Sequence, residues 1–596
     1  MRPPNRLWRF SLLSEKLVDV CLGRVKADLV LKCRALLSVS SGEILDNVDV
    51  AVKDGRIAYV GGNADSMVGL NTEVVRIRNG IAVPGLIDAH THIDLVCTPT
   101  EQAGAMLAHG TTTLFTEPDE LASVLGLEGL RMFVEEVRRL PLKVYVMASL
   151  TAPQDPEVSS AGVMPLEAYK EALSWPDMIG LGETVAWTLI LNHDGYYMEK
   201  FKLALEQGKL IEGHTAGARN AKLAACVCSG VSSCHESIDA EQALERLRLG
   251  LFLMVREGSL RRDLPSILPD LVRRRVDLSN VALVTDWVDP ADLLEHGYMD
   301  YVVGKAVEHG VDPVKAVQMV TINPARRFRV DGEVGIIAPG RYASLTVLES
   351  LRNPKVLLTV AKGAIVAWEG KFKGRLGKPR YPRAAFETMK VPRRLKAEDF
   401  RIKAPSSRGT VKAVVAKLED GVITRKTVEE VKVVSGEVKP NPAVDLAKIA
   451  VVDRHHNSVR IGLGLVKGFG AKVGAVASSL NFDENQLVLV GYSDTDMARA
   501  ANEVVKLGGG IVVADEGRLL EVLAMPIAGV MSDGDLLKVA GKLKKVNRIL
   551  AEAGCPFSKP LNVLLFSTFV TLPEIRFTDR GIVDVKKRRY IPLFTG

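Results

Sequence analysis

The chain has 596 residues, with 47 % apolar and 25 % charged side chains, which is ordinary globular usage in a chain too long for one core. A net charge of +7 and a pI of 8.8 are mild for this length and imply no nucleic-acid partner. No apolar run approaches the ~20 residues of a membrane span, and seven cysteines read as buried thiols, not a disulfide framework.

Met1 to Lys16 alternates basic, polar and apolar residues. It lacks the apolar stretch and small-residue cleavage site of a secretory signal, so a cytoplasmic protein is expected. Residues 17–80 read as a short helix followed by strands, punctuated by Ser41-Gly42, Asp54-Gly55 and Gly61-Gly62. From Ile81 the pattern changes to strand, loop and helix, repeated. Eight strand-like runs are expected: 81–90, Thr111–Glu117, Leu142–Ser149, Met178–Glu183, Leu210–Thr215, Val231–Glu236, Leu251–Glu257 and Val281–Trp287. Helices are expected between them, at Glu101–His109, Leu121–Leu140, Ala240–Leu249 and Ala291–Gly310 among others. Such alternation implies a parallel sheet, and eight repeats over ~250 residues imply a (β/α)8 barrel.

After Pro324 strands return at 332–337, 343–348, 360–363 and 364–368. They are expected to complete the N-terminal β module, which is small for an independent core. The expected α/β architecture is therefore a (β/α)8 barrel (81–330) inserted in a small β-sandwich module (1–80 and 331–373). A charged linker (374–405) and a C-terminal α/β domain (406–596) follow. The basic residues of the linker read as solvated, because its aromatics are too sparse to stack bases. The glycine-rich runs 462–470 and 507–514 fit neither a P-loop nor a dinucleotide fingerprint and read as turns and close backbone approaches. Cys226-x-Cys228 has no matching second pair and reads as part of a helix. His455-His456 reads as a surface or interdomain turn.

The chemistry gathers at the strand ends. The first run closes on Pro84-Gly-Leu-Ile-Asp-Ala-His-Thr-His92. Side chains two apart on a strand share a face, so His90 and His92 converge between Asp88 and Asp94. Four of the ten histidines, His90, His92, His214 and His235, fall at expected strand ends, with Glu183 and Asp286. Four imidazoles and two carboxylates on one barrel mouth suit one or two transition metals, which lower the pKa of bound water to about 7. Glu183 is expected to bridge two ions. Asp286 is expected to ligate one ion and move a proton between water and leaving group. Glu117 and Glu236, at the second and sixth strand ends, are expected to contact substrate.

These features resemble the amidohydrolase superfamily, and the finer wording is similar to the bacterial and archaeal adenine deaminase family. The phrases are Gly180-Leu-Gly-Glu183, Glu212-Gly-His-Thr-Ala-Gly217, Ser233-Cys-His-Glu236, Arg256-Glu-Gly-Ser259, Thr321-Ile-Asn-Pro-Ala325, Val466-Lys-Gly-Phe-Gly470, Pro526-Ile-Ala-Gly-Val-Met-Ser-Asp533 and Leu572-Pro-Glu-Ile575. The resemblance covers nearly the whole chain. It implies two divalent metals, iron or manganese, with Glu183 in the place that a carboxylated lysine fills in many relatives. It also implies hydrolysis of adenine to hypoxanthine and ammonia by a metal-bound hydroxide, in purine salvage. The chain departs from the family pattern at Asp94, Asp119 and Trp287 and in the loop Asn481-Phe-Asp-Glu-Asn485. A diverged amidohydrolase acting on another purine or a cyclic amide, and a non-catalytic paralogue, stay open as alternatives. The expected partner is a small purine, with no nucleic acid and no membrane; self-association as a homo-oligomer is left open.

Overall fold

The structure is a computed structural model and describes residues 14–162 and 164–595. The expected helix forms at Glu15–Cys21, where the Ser14 side chain accepts a bond from Leu17 N. Four strands follow: β1 (Leu29–Ser38), β2 (Glu43–Lys53), β3 (Arg56–Gly61) and β4 (Glu73–Ile77). The run expected as one strand over 81–90 is two. β5 (Ile81–Pro84) pairs antiparallel with β15 (Leu345–Leu348) in the N-terminal module. The chain turns at Gly85, and β6 (Leu86–Thr91) opens the parallel sheet.

Three more strands complete the module: β16 (Val356–Ala361), β17 (Ala364–Trp368) and β18 (Lys371–Phe372). The run 332–337, expected as a strand, is a turn region. The module is one nine-stranded sheet, not two separate ones. Its apolar alternation still makes a core: Leu31, Val50 and Val52 pack with Val347, Leu358 and Val360, so the sheet folds over itself.

After a short β7 (Val96–Cys97), the central region holds β8 (Thr111–Thr116), β9 (Lys143–Ala148), β10 (Met178–Leu181), β11 (Leu210–Ile211), β12 (Ser233–Cys234), β13 (Phe252–Arg256) and β14 (Val281–Val284). They form two parallel sheets, β6 to β11 with five strands and β12 to β14 with three. At one seam Ser232 N donates to Ile211 O at 3.1 Å, and at the other Asp286 N donates to His90 O at 3.0 Å. Helices lie between the strands, as the pattern predicts. The stretches 121–140 and 291–310 are each two helices, broken at Gly126 (φ 60°) and Gly297 (φ 101°).

The C-terminal domain carries a ten-stranded sheet and helices at Asp494–Lys506 and Leu536–Glu552. The glycine run 462–470 overlaps the strand Ile461–Lys467, where a Cβ at Gly464 would stand 2.2 Å from the Phe577 ring. The linker is not simply solvated: Leu395 and Phe400 are buried in the C-terminal core. All seven cysteines are free, five of them buried, and Cys226 and Cys228 lie on one helix.

The C-terminal domain closes over the strand ends. A short strand at Met531–Ser532 pairs with β7 just after the His90-x-His92 segment. One apolar cluster joins Ile93, Val96, Leu121 and Trp287 to Leu480, Phe482, Leu565 and Phe569. A chain ended after Pro405 bares that face, so it is expected to aggregate and to lose the cooperative unfolding transition of the full protein. Size-exclusion chromatography and thermal unfolding check this; a monodisperse, cooperatively melting fragment contradicts it.

Candidate metal centre

His90 ends β6, and His92 follows two residues later on the same side. Their rings stand perpendicular with centroids 5.1 Å apart. Asp88, at the same strand end, accepts bonds from Thr285 Oγ1 (2.6 Å) and Tyr298 OH (2.8 Å) and so ties β6 to the segment after β14. Burial pushes its carboxyl up to about 6. Asp94 accepts from Leu121 N at 2.9 Å.

All six expected donors converge. His90, His235 and Asp286 form one group whose ligand atoms lie within 4.8 Å of one another; His90, His92 and Glu183 form a second, and Glu183, His214 and His235 a third. His90 Nε2 is 3.1 Å from Asp286 Oδ1, and His92 Nε2 is 3.7 Å from the same oxygen. Glu183 Oε2 faces His214 Nδ1 at 2.6 Å and His235 Nε2 at 3.0 Å. The imidazoles of His90 and His235 stack at 4.1 Å. His92 turns its other nitrogen, Nδ1, to the Glu117 carbonyl at 3.1 Å, which leaves Nε2 facing inward.

The donor set fits a divalent metal. The ring nitrogens of His214 and His235 approach to 3.2 Å while both face one carboxylate oxygen. Electron-pair donors converging in this way are what a cation gathers. Burial opposes ionisation of Glu183, but His214 and His235 outweigh it and hold the carboxyl well below its usual range. Burial likewise opposes charge on Asp286, and His90, His235 and Arg256 reverse it downward. His235 is lowered by burial and by His90, which keeps its ring neutral and able to donate a lone pair. Burial works against charge on His214, yet Glu236 and Glu183 raise it to about 9.

Asp286 adopts φ 64°, an uncommon conformation that Asp tolerates better than most residues. The conformation accompanies the bond from its amide to His90 O.

The two expected substrate contacts differ. Glu236 Oε1 lies 3.5 Å from His235 Nε2 and 3.7 Å from His214 Nε2, on the site side. Glu117 faces the candidate ligands instead: its Oε2 accepts from Glu183 N at 2.5 Å and its Oε1 lies 3.4 Å from His90 Nδ1. It is held close by Gly182, where a Cβ would stand 2.4 Å from Glu117 Oε2.

Arg256 is the last residue of β13. It is buried, bonds Glu236, donates to Asp286 Oδ2 at 3.1 Å and to Asp263 Oδ2 at 3.0 Å. Burial opposes its charge, and the three acids hold it firmly protonated. Asp119 lies with Oδ2 3.5 Å from His92 Nδ1. Burial, Glu117 and Asp483 raise its carboxyl well above the usual range, and Ser149 moderates this only in part.

The C-terminal domain reaches the same place. Asp483 Oδ2 accepts from Gln154 Nε2 at 2.7 Å, and the Phe569 ring lies 6.1 Å from that of His214. The sequence singles out the loop that holds Asp483, but nothing local marks Gln154, 329 residues away. His455, in the expected interdomain turn, places its Nε2 2.8 Å from Glu484 O beside Asp483.

Imidazoles and carboxylates gathered at the ends of parallel strands make a candidate metal centre, and the chain around it is of the amidohydrolase class. Residues 81–366 match the family model "Amidohydrolase family", and residues 421–589 match "Adenine deaminase C-terminal domain". The chain is 39 % identical over 588 residues to an adenine deaminase of Moorella thermoacetica, covering 98 % of each chain. It is 36 % identical to an adenine deaminase of Cenarchaeum symbiosum, covering 98 % of this chain and 95 % of that one. The chain belongs to the adenine deaminase family.

Gly182→Ala drives a methyl group into the Glu117 carboxylate and, at 3.2 Å, the Ala148 carbonyl. Overpacking of this kind costs about 1–3 kcal/mol. The substitution is expected to lower the denaturant midpoint accordingly and to reduce bound metal, read by elemental analysis of the same sample.

Proposed function

We propose that this chain hydrolyses adenine to hypoxanthine and ammonia at a centre of two divalent transition metals, iron or manganese, in cytoplasmic purine salvage. The observation that carries the reading is the convergence of six donors in three overlapping groups. Its support is likeness to adenine deaminases along the whole chain. The eight parallel strands are read as one closed (β/α)8 barrel, supported by the backbone bonds at both seams. That places the donors at the C-terminal mouth, where such barrels carry their chemistry.

The proposed ligands are His90, His92, Glu183, His214, His235 and Asp286. Glu183, the one carboxylate that belongs to two of the three groups, would help hold both ions. When bound, the metals act as Lewis acids that make a coordinated water acidic enough to ionise near neutral pH. Asp286 is held ionised by its neighbours and accepts the proton of the attacking water. It then carries that proton to the departing amine at purine C6. Arg256 fixes Asp286 and Glu236 relative to each other through one guanidinium. Glu236 contacts the substrate from the sixth strand end. Glu117 acts behind the ligands, holding the Glu183 backbone and facing His90, so it is assigned a positioning role. The roof from the C-terminal domain excludes bulk water, which strengthens each electrostatic contact within.

The test is ammonia release from adenine by protein loaded with iron or manganese. About two ions per chain are expected, because six donors exceed the needs of one tetrahedral centre. His90→Ala combined with His92→Ala is expected to remove metal and activity together. A stoichiometry near zero in the wild type, or no ammonia from adenine by fully loaded protein, overturns the reading.

Asp286→Asn is nearly isosteric and removes the base. It is expected to lower kcat by about 10²–10⁴-fold, the usual contribution of a general acid–base group. Trp287 follows in sequence, so no adjacent carboxylate substitutes for it. Metal content measured on the same sample separates loss of the base from loss of a ligand. Near-normal kcat with metal retained rules out Asp286 as the proton carrier.

A further inference from the structure

One seam between the two parallel sheets runs between β11 and β12, and the chain leaving those strands carries His214 and His235. Each strand is only two residues long. Ser232 N crosses the seam to Ile211 O at 3.1 Å, and Gly213 N crosses to Ser233 Oγ at 3.2 Å. Ser233 Oγ in turn donates to Glu212 Oε2 at 2.6 Å. These bonds lie before the two histidines, so the sheet ladder does not set one imidazole against the other. Yet the rings stand nearly perpendicular, with 3.2 Å between His214 Nδ1 and His235 Nε2 and with Glu183 Oε2 facing both nitrogens.

Arg246 crosses the same seam beside them. It stands on the helix Ala240–Arg248 and is fully buried. On the β11 side its Nη2 donates to Thr215 O at 2.7 Å and to Thr215 Oγ1 at 3.2 Å. On the β12 side its Nε donates to Cys234 Sγ at 3.2 Å. Its Nη1 returns to Gln242 O, one turn earlier in the helix, at 3.3 Å. Thr215 follows His214, and Cys234 precedes His235. Thr215 Oγ1 and Cys234 Sγ are themselves 3.0 Å apart, and Glu236 N donates to the same sulfur at 3.3 Å. Among the described residues no carboxylate is a partner of this guanidinium. Taking a cation out of water is costly. Here its rigid fork of donors goes to the two segments that carry His214 and His235.

We propose that Arg246 is a positioning residue that clamps Thr215 to Cys234 across the seam and so fixes His214 and His235 at the separation one metal ion requires. The proposal rests on the two-metal reading above. It concerns the ion held by Glu183, His214 and His235; the group of His90, His92 and Glu183 lies outside the clamp. At the other seam the backbone does the same work without a side chain, because Asp286 N donates to His90 O and joins two ligand residues directly. Groups that orient metal ligands from behind contribute about 10- to 100-fold in metal affinity.

The test titrates metal-free, full-length protein with manganese against a competing chelator and counts the bound ions by elemental analysis. The wild type is expected to take up about two ions per chain. Arg246→Lys keeps the charge, but one ammonium cannot reproduce the fork that spans Thr215 O and Cys234 Sγ. It is expected to weaken one ion by about 10- to 100-fold and to leave the other within about threefold. Cys234→Ala keeps Arg246 on Thr215 and removes the anchor on the other side. It is expected to weaken the same ion, and it carries the test alone where Arg246→Lys does not fold. The visible spectrum of cobalt-loaded protein, which reports ligand geometry without turnover, is expected to change for that ion only. The melting temperature of each metal-free protein is read alongside; a merely structural role lowers it and leaves the ratio of the two affinities as in the wild type. Unchanged affinity for both ions, or an equal loss of both, in folded variant protein overturns the proposal. A wild type that takes up one ion or none overturns the two-metal reading, and this proposal with it.

Discussion

Carboxylates and imidazoles taken out of water remain there only if each charge meets an opposite charge or a donor, and that requirement governs this molecule. Glu183 and Asp286 are buried and Glu236 is half-buried, all within a few ångströms of one another's partners. Arg256 answers two of them from the seventh strand, and the histidines answer the third. Removing one member leaves another uncompensated, so the strand ends act as a unit. Asp88 and Glu117 extend the same logic one layer back, spending their oxygens on backbone amides and hydroxyls that set where the ligand residues stand.

The C-terminal domain completes what the central strands begin. Its turns put Phe569 beside His214 and Asp483 against Gln154, and its Met531–Ser532 strand pairs with the segment leaving His92. Val96 in that segment adopts φ 61°, a conformation a β-branched residue rarely takes, and the pairing with residue 531 holds it there. The cover is therefore not a separate module resting on the mouth; it shares a core and a sheet with it.

Much of this was legible in the sequence. The spacing of His90 and His92, and the placing of His214, His235, Glu183 and Asp286 at the ends of apolar runs, led directly to the cluster, because strand periodicity fixes which side chains share a face. The fold was legible for the same reason, with errors where one apolar run hides a turn. Gly85 splits 81–90 into strands of two different sheets, and 332–337 has strand-like composition but no partner to pair with. Charge dominates the composition of 374–405, which hides Leu395 and Phe400, buried there through tertiary packing. Glu117 sits at a strand end like the ligands, and its carboxylate meets Glu183 N and His90 Nδ1, a contact that periodicity does not foretell. Gln154 and Asp483 follow no periodicity, since their meeting is made by the fold of two distant segments.

The long separation of Gln154 from Asp483 also has a meaning in time. A ribosome releases Asp286 before any residue of the cover exists. With 310 residues of the 596 still to be made after it, at ~5–20 residues per second, the interval before the cover is complete is about 15–60 s. For that interval the donor cluster is bounded only by the central strands and open to the ions of its surroundings. Closure then depends on contacts of high sequence separation, which form late in folding. Assembly of the site thus follows the order of the chain: donors first, roof afterwards.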